Sequence, residues 1–270
     1  MSPPSLPSEI FWMFIESLGE DQHSLRACSL VSSDFRRLCS PILYRDIALD
    51  SDEKVDTFIQ FGEHSEVLRH TKSLSIADIS NPHGILDTIS QKASLETICL
   101  CQAEFHVEPP KASLLSRLSN VTTVLVLREC RFGGFEGFVS FIRGFPLCEV
   151  LRLRGCAWVD GEDAKSKFGS LRVHDIAPTN LEITNNFPIE LGDEYCDQGR
   201  IVGAAWLGLA GLKSFTYAFG GEAATKLVLE RIASCELLEE IDLTIPHYIR
   251  RGFGECEPSL WLFDSGCLPD

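Results

Sequence analysis

The stretch CEVLRLRGC, residues 148–156, alternates large apolar side chains with charged ones, since Leu151 and Leu153 are each followed by an arginine. In an extended strand successive side chains point to opposite faces, so the two leucines share one face while Arg152 and Arg154 share the other. Such alternation is typical of a strand with one buried side. The stretch therefore predicts a half-buried strand whose other face carries positive charge.

The same template recurs along the chain at a nearly constant spacing. The paired apolar residues are found again in SLSIADI (73–79), LETICLCQA (95–103), TVLVLREC (123–130), NLEITNN (180–186), LKSFTYAF (212–219) and LEEIDLTI (238–245). The seven centres, 24, 27, 26, 30, 34 and 26 residues apart, are Leu74, Ile98, Leu125, Leu151, Leu181, Phe215 and Ile241. The spacing and the template L-x-x-L-x-L-x-x-N/C resemble leucine-rich repeats, which have a period of about 20 to 29 residues.

One segment leaves its frame open: in VTTVLVLREC (121–130), a frame through Val124 and Val126 competes with one through Leu125 and Leu127. Helix-like pieces lie between the strands, namely GILDTISQKA, FEGFVSFIRGF and EAATKLVLERIASC. Strand-plus-helix units of this kind stack into a solenoid with a parallel sheet, so the expected fold class is α/β. The alternative is an ordinary α/β domain whose strands recur at the spacing of strand–helix–strand units.

The N-terminal region has a different pattern. In EIFWMFIESLG (9–19) apolar residues recur at helical spacing, and a glycine stops the helix. Two more short helices are predicted after Asp21 and from about Ser33, the last ending before Pro41. Such a unit is too small to bury its apolar residues in a core of its own, so a partner or the following domain should cover part of them. The predicted domains are a helical unit, a connecting segment and the repeats, at residues 1–50, 51–69 and 70–270.

Composition limits the function. The 270 residues are 44% hydrophobic and carry a formal net charge of −15, which argues against binding nucleic acid or an anionic membrane surface. No uninterrupted apolar stretch reaches the ~18 to 20 residues of a membrane span, and a basic secretory leader is not apparent in MSPPSLPSEI. The eleven cysteines are odd in number and sit mostly in apolar strings. We therefore expect reduced core thiols and a cytoplasmic or nuclear protein.

The N-terminal motif resembles an F-box, in the form common among fungal F-box proteins with irregular leucine-rich repeats. The matching residues are Leu6-Pro7, Glu9-Ile10, Ile15, Leu18, LRACSLV (25–31), Phe35 where the family often has tryptophan, and PILY (41–44). The resemblance implies a substrate receptor that docks on the Skp adaptor, and through it a cullin, in a ubiquitin ligase that directs ubiquitin-dependent degradation. The residues it assigns to the adaptor contact are Leu6, Pro7, Ile10, Leu18, Leu30, Val31 and Phe35. Each of these could instead fill the core of the domain itself.

A catalytic role is not predicted, because GxSxG, HExxH, P-loop and post-strand GxGxxG motifs are all missing from the sequence. No cofactor or metal is expected, and an α/β enzyme with an unfamiliar site remains a third interpretation.

If the repeats stack, the residues between the paired apolar positions form the face that binds a protein target. The candidates on that face are Arg152, Arg154, Glu182, Thr184 and Asp242, with Ser75, Cys99, Thr216 and Thr244 beside them. The other interpretation of this architecture is a repeat scaffold whose helical unit only caps the repeats.

Overall fold

The computed structural model of the protein describes residues 7–19, 21–64, 66–79, 82–105, 118, 120–158, 176–184, 207–218 and 222–244. Within these residues the protein is an α/β structure with a parallel sheet and seven α-helices, which confirms the predicted class. The helices are α1 (Ser8–Ser17), α2 (Gln22–Ser29), α3 (Ser33–Leu43), α4 (Asp52–His64), α5 (Pro82–Ser90), α6 (Phe135–Arg143) and α7 (Glu222–Ile232), with a 3₁₀ helix at Glu66–His70. The longer strands are β1 (Asp46–Leu49), β2 (Ser73–Ala77), β3 (Thr97–Cys101), β5 (Val124–Arg128), β7 (Val150–Arg154), β9 (Asn180–Thr184), β10 (Ser214–Ala218) and β11 (Glu240–Thr244). The two-residue strands are β4 (Glu104–Phe105), β6 (Arg131–Phe132) and β8 (Ala157–Trp158).

The eight longer strands form one parallel sheet whose spatial order follows the chain, β1-β2-β3-β5-β7-β9-β10-β11. The seven predicted centres are lateral neighbours in this sheet, in the register Leu74, Ile98, Leu125, Leu151, Leu181, Phe215 and Ile241. In β5 the frame through Leu125 and Leu127 is the one that faces the core, because both side chains are fully buried. The predicted strands are therefore confirmed, and the open frame is decided.

The sheet begins earlier than the repeat pattern predicts. Strand β1 lies inside the segment assigned to the helical unit, and Ile47 pairs with Leu74 in the same register as the later strands. The segment between residues 51 and 69, predicted only as a connection, contains α4 and the 3₁₀ helix. Leu49 and Val55 both belong to the main apolar core. The first strand and the helix after it are thus packed as part of the sheet region.

The strands β2, β3, β5 and β7 of the eight-stranded sheet each end in the same backbone turn. Asp78, Gln102, Glu129 and Gly155 directly follow their strands with φ between 52° and 62°. In this left-handed conformation the N–H of Gln102 donates to the Arg128 carbonyl, and the N–H of Glu129 donates to the Arg154 carbonyl. The turn aims the chain at a second, three-stranded parallel sheet formed by β4, β6 and β8. After β3, β5 and β7 the repeated turn therefore leads into the strands of the small sheet.

The main core lies between the sheet and the helices α5, α6 and α7. Part of it is aromatic: Phe132 stacks on Phe105 with ring centroids 4.8 Å apart and meets Phe138 edge-on at 5.2 Å. Phe138 in turn stacks on Trp158 at 5.1 Å. Rings at these separations add to the stability gained from apolar burial. In the eight-stranded sheet the helix-side positions of β2 to β10 are filled by buried apolar residues, and the opposite face carries polar and small side chains together with Val124, Val126 and Val150.

The N-terminal helices begin and end almost where the sequence predicts. The carboxylate of Asp21 accepts hydrogen bonds from the N–H groups of His23 and Ser24, and the Ser32 hydroxyl accepts from that of Phe35. These bonds satisfy donors that have no partner inside the helix. One prediction was wrong: α3 continues through Pro41 to Leu43. Pro41 lies in the last turn, where its missing N–H costs a single helical hydrogen bond.

Candidate partner-binding surfaces

The three N-terminal helices have a core of their own, separate from that of the sheet. Its fully buried members are Ile15, Leu25 and Cys39, and partly buried residues pack around them. Phe35 belongs to this packing, because its ring meets Phe11 edge-on at 5.1 Å and Phe14 at 6.4 Å. Three buried side chains are few for a helical unit. Much of its apolar surface must therefore lie outside this core.

That surface includes five exposed apolar side chains, called here together the helical patch. Its members are the exposed side chains of Ile10, Met13, Phe14, Leu30 and Val31. The first three lie at i, i+3 and i+4 on one face of α1, and the other two lie in the turn between α2 and α3. Leu30 is 79% exposed and Val31 is 71% exposed. Large apolar side chains grouped at such exposure are typical of an interaction site.

The residues that the F-box resemblance assigned to the adaptor fall into three groups. Pro7, Ile10, Leu30 and Val31 are exposed, and the first of these residues immediately precedes α1. Leu18 and Phe35 are partly buried against the small core, so they shape the helical unit from within. Leu6 lies outside the described residues. Sequence reasoning missed Met13 and Phe14 as surface residues, although their spacing from Ile10 marks one helical face.

The second candidate surface is the face of the eight-stranded sheet that points away from the helices, called here the outward face. Three of its arginines are neighbours: Arg128 pairs with Arg154 across β5 and β7, and Arg152 is two residues before Arg154. Neighbouring strands lie about 4.8 Å apart. We call Arg128, Arg152 and Arg154 the arginine cluster.

Glu182 lies beside the arginine cluster and is held in a fixed geometry. Arg154 Nε donates to Glu182 Oε1 at 2.6 Å and Arg154 Nη2 donates to Oε2 at 2.9 Å. Arg152 Nε is 3.5 Å from the same Oε2. The Glu182 side chain is 16% exposed, against 46% for Arg152. One carboxylate therefore fixes the fork of Arg154, while Arg152 remains accessible from solvent.

The structure brings together four of the five predicted target-contact residues. Thr184 pairs with Arg154 on the next strand, but its hydroxyl oxygen is buried without a hydrogen-bond partner among the described residues. Asp242 is exposed on β11, two strands beyond Glu182, and does not join the group. Sequence reasoning missed Arg128. The frame that buries Leu125 and Leu127 places Arg128 on the outward face, whereas the competing frame through Val124 and Val126 would place Arg128 on the buried face.

Other kinds of site find no support in the described part of the chain. It contains no group of three or more His, Cys, Asp or Glu side chains that could hold a metal ion. None of its helices has the length and apolar character needed to cross a membrane. In a comparison with known proteins, no family model and no curated protein matches the chain.

Proposed function

We propose that the protein is a substrate-receptor subunit of a Skp/cullin/F-box ubiquitin ligase. In this proposal the helical patch binds the Skp-type adaptor, and through it a cullin. The sheet region holds a protein target, and the chain itself catalyses nothing. The observation that carries the proposal is the helical patch, which combines with a sequence motif that resembles an F-box over residues 6 to about 47.

The separation of the two apolar cores supports a binding role for the helices. If the helical unit served only to cap the sheet, its apolar face would be expected to merge with the sheet core. Instead Ile15, Leu25 and Cys39 form their own cluster, and the most exposed leucine and valine lie in the turn before α3. Their burial against an adaptor would remove this surface from water, at about 25 cal/mol per Å² before the costs of association.

The strand order supports the second half of the proposal, a leucine-rich-repeat-like solenoid. A doubly wound α/β domain reverses its strand order at a switch point and has helices on both faces. Here the described strands follow one another without reversal, and the leucine, isoleucine and aromatic side chains of the eight-stranded sheet all lie in the helix-side register. Stacked repeats leave one broad face of the sheet open, which is a surface such proteins use for partners.

The test is calorimetric titration of a purified Skp-type adaptor with the full chain and two variants. Ile10→Asp combined with Val31→Asp places charges at two exposed positions of the helical patch. We expect the adaptor affinity to fall by at least about thirtyfold, or ~2 kcal/mol, because the charges would be buried without partners. Leu237→Asp is the control, an exposed leucine near the other end of the described chain.

The control should bind the adaptor with the same affinity as the unsubstituted chain. The melting temperatures of both variants should lie within about 2 °C of that of the unsubstituted chain, since all three substituted side chains are exposed. Equal adaptor affinity of the double variant and the control would show that the helical patch is not the contact. Failure of the unsubstituted chain to bind at tens of micromolar would leave the repeat-scaffold interpretation in place of the ligase role.

A further inference from the structure

The last described strand of the eight-stranded sheet, β11, leaves the apolar core open at one end. Its helix-side residues Ile241 and Leu243 pair with Phe215 and Tyr217 of β10. Both aromatic side chains are fully buried, whereas Ile241 is 51% exposed and Leu243 is 39% exposed. Large apolar side chains that are exposed in the register of a buried core mark a surface that a further element can cover.

The backbone of β11 is open along the same side. The N–H of Glu240 donates to the Lys213 carbonyl, on the side of β10. Backbone groups of alternate residues in a parallel strand point to opposite neighbours, so those of Ile241 and Leu243 point away from β10. No other strand in the described part of the chain pairs with this side. Such a row of unpaired N–H and C=O groups is a template for an added strand.

The exposed side chains around this open edge are acidic. Glu239 and Glu240 lie at the start of β11, and Asp242 shares the outward face with Glu240. Glu240 accepts a hydrogen bond from the Ser214 hydroxyl at 3.2 Å. No Lys, Arg or His side chain of the described residues forms an ion pair with any of these three carboxylates. The edge therefore combines open backbone groups, apolar side chains on one face and uncompensated negative charge on the other.

These features specify the side chains of an added strand. On one face its side chains would cover Ile241 and Leu243, and on the other they would lie opposite Glu240 and Asp242. Facing side chains of neighbouring strands are about 5 Å apart, so opposite charges there stabilise the pairing and like charges destabilise it. A strand in which apolar and basic residues alternate fits both faces. Two β11 strands paired antiparallel about a twofold axis would instead place their carboxylates side by side.

The charge of the whole chain acts in the same direction. A net charge of −15 attracts a basic segment and speeds its association. At physiological ionic strength the Debye length is about 8 Å, so the choice of position depends on the carboxylates next to the edge. The carboxylate of Asp46, on β1 at the opposite end of the sheet, contributes to the net charge and not to this site.

We propose that β11 binds an extended segment of a partner protein, in which basic and apolar side chains alternate, as a ninth strand of the sheet. The apolar side chains of the segment cover Ile241 and Leu243, and the basic ones pair with Glu240 and Asp242. Main-chain hydrogen bonds give such a complex its affinity, and the alternating side chains give it specificity. This inference rests on the proposed function, because it specifies the kind of target segment that the sheet region of the receptor recognises.

The experiment measures fluorescence anisotropy of the full chain with a labelled peptide of about ten residues in which Lys and Val alternate. Asp242→Lys should weaken binding of this peptide by at least about tenfold, because it replaces an attraction across the strands by a repulsion. The same variant should bind a peptide of alternating Glu and Val at least about threefold more tightly than the unsubstituted chain does. Asp46→Lys makes the same change in net charge at the far end of the sheet and should alter either affinity less than about twofold.

Pairing of the backbone is tested with two N-methylated forms of the Lys and Val peptide, one methylated at the lysines and the other at the valines. An added strand directs alternate N–H groups to β11, so one form should lose at least about tenfold in affinity while the other changes less than about threefold. A peptide of the same composition, with its lysines and valines in two separate blocks, should bind at least about tenfold more weakly than the alternating one.

The gain expected for the Glu peptide protects the test from misfolding, because a poorly folded Asp242→Lys variant would bind neither peptide. The proposal is overturned if the block peptide binds as tightly as the alternating one, if the two methylated forms behave alike, or if Asp46→Lys weakens binding as much as Asp242→Lys. Absence of binding by the unsubstituted chain also overturns it, and a dimer that the peptide does not dissociate assigns the edge to a second copy. Adaptor titration of the same samples reports separately on the ligase role.

Discussion

Two threonines at equivalent positions of two strand units, those of β2 and β5, should respond in opposite ways to the same substitution. Thr71 and Thr122 each lie two residues before a strand, β2 and β5, and both are fully buried. The Thr122 hydroxyl donates to the Leu95 carbonyl at 2.8 Å, which is the corresponding position one repeat earlier. The Thr71 hydroxyl is buried and has no hydrogen-bond partner among the described residues.

The reason for the difference is the local chain before each threonine. The residue that corresponds to Leu95 in the preceding unit is Tyr44, since Asp46 pairs with Ser73. Tyr44 ends helix α3 rather than leading directly into a strand in extended form. The Thr71 hydroxyl therefore lacks the extended neighbour that supplies a carbonyl to Thr122.

Replacing each threonine by valine keeps its shape and removes the hydroxyl. Thr122→Val should lower the free energy of unfolding by about 1–2 kcal/mol, through the lost hydrogen bond and the carbonyl left without it. Thr71→Val should raise the free energy of unfolding by about 1 kcal/mol, because it removes a buried hydroxyl that is not bonded. The two variants should thus differ by roughly 2–3 kcal/mol in urea unfolding followed by circular dichroism, with similar slopes. If Thr71→Val destabilises the protein as much as Thr122→Val does, the reasoning is refuted.

Two further predictions concern the turns and the thiols. Gly155→Ala should destabilise the protein by at least about 1 kcal/mol in the same unfolding assay, because a Cβ disfavours the left-handed conformation at φ 62°. Glu129→Ala is the control, since that position already carries a Cβ at φ 52°, and equal effects of the two would contradict the explanation. In native protein at pH 7.5 Cys148 should react slowly with a maleimide, because burial raises the pKa of its thiol to about 12, and unfolding should make all eleven cysteines reactive. A cysteine still unlabelled after unfolding without reductant would indicate a disulfide.

The strands were predictable because each needs two large apolar residues one position apart, and that requirement is local. Strand β1 was missed although Ile47 lies 27 residues before Leu74, within the range of the other spacings. Its four residues begin only three positions after the end of α3, and the motif that resembles an F-box extends almost to the same place. The resemblance to an F-box assigns residues 44–50 to the helical unit, whereas the repeat spacing predicts a strand of the sheet there.

The surfaces were less predictable than the strands, because exposure depends on contacts between distant residues. Leu18 and Leu30 are both leucines of the F-box-like segment, yet one packs on the small core and the other is almost fully exposed. Only the packing of α1 against α3 decides between them. The ion pair of Arg154 with Glu182 was within reach of sequence reasoning, since strand register pairs Glu182 with Arg152 and places Arg154 diagonally next to it on the same face. Its two-point geometry was not.

The cysteines illustrate how a repeat can reuse one position for different residues. Cys130 and Cys156 follow the left-handed residues Glu129 and Gly155 and are buried under the turn. Their thiols lie 3.4 Å and 3.5 Å from the carbonyl oxygens of Leu100 and Leu127 in the preceding repeat. A thiol is both a weak donor and a small apolar group, so it can be buried beside a backbone carbonyl. Ile79 and Ala103 fill the corresponding places after Asp78 and Gln102 without a donor, so the position does not require a thiol, and the thiols contribute by packing rather than by cross-linking.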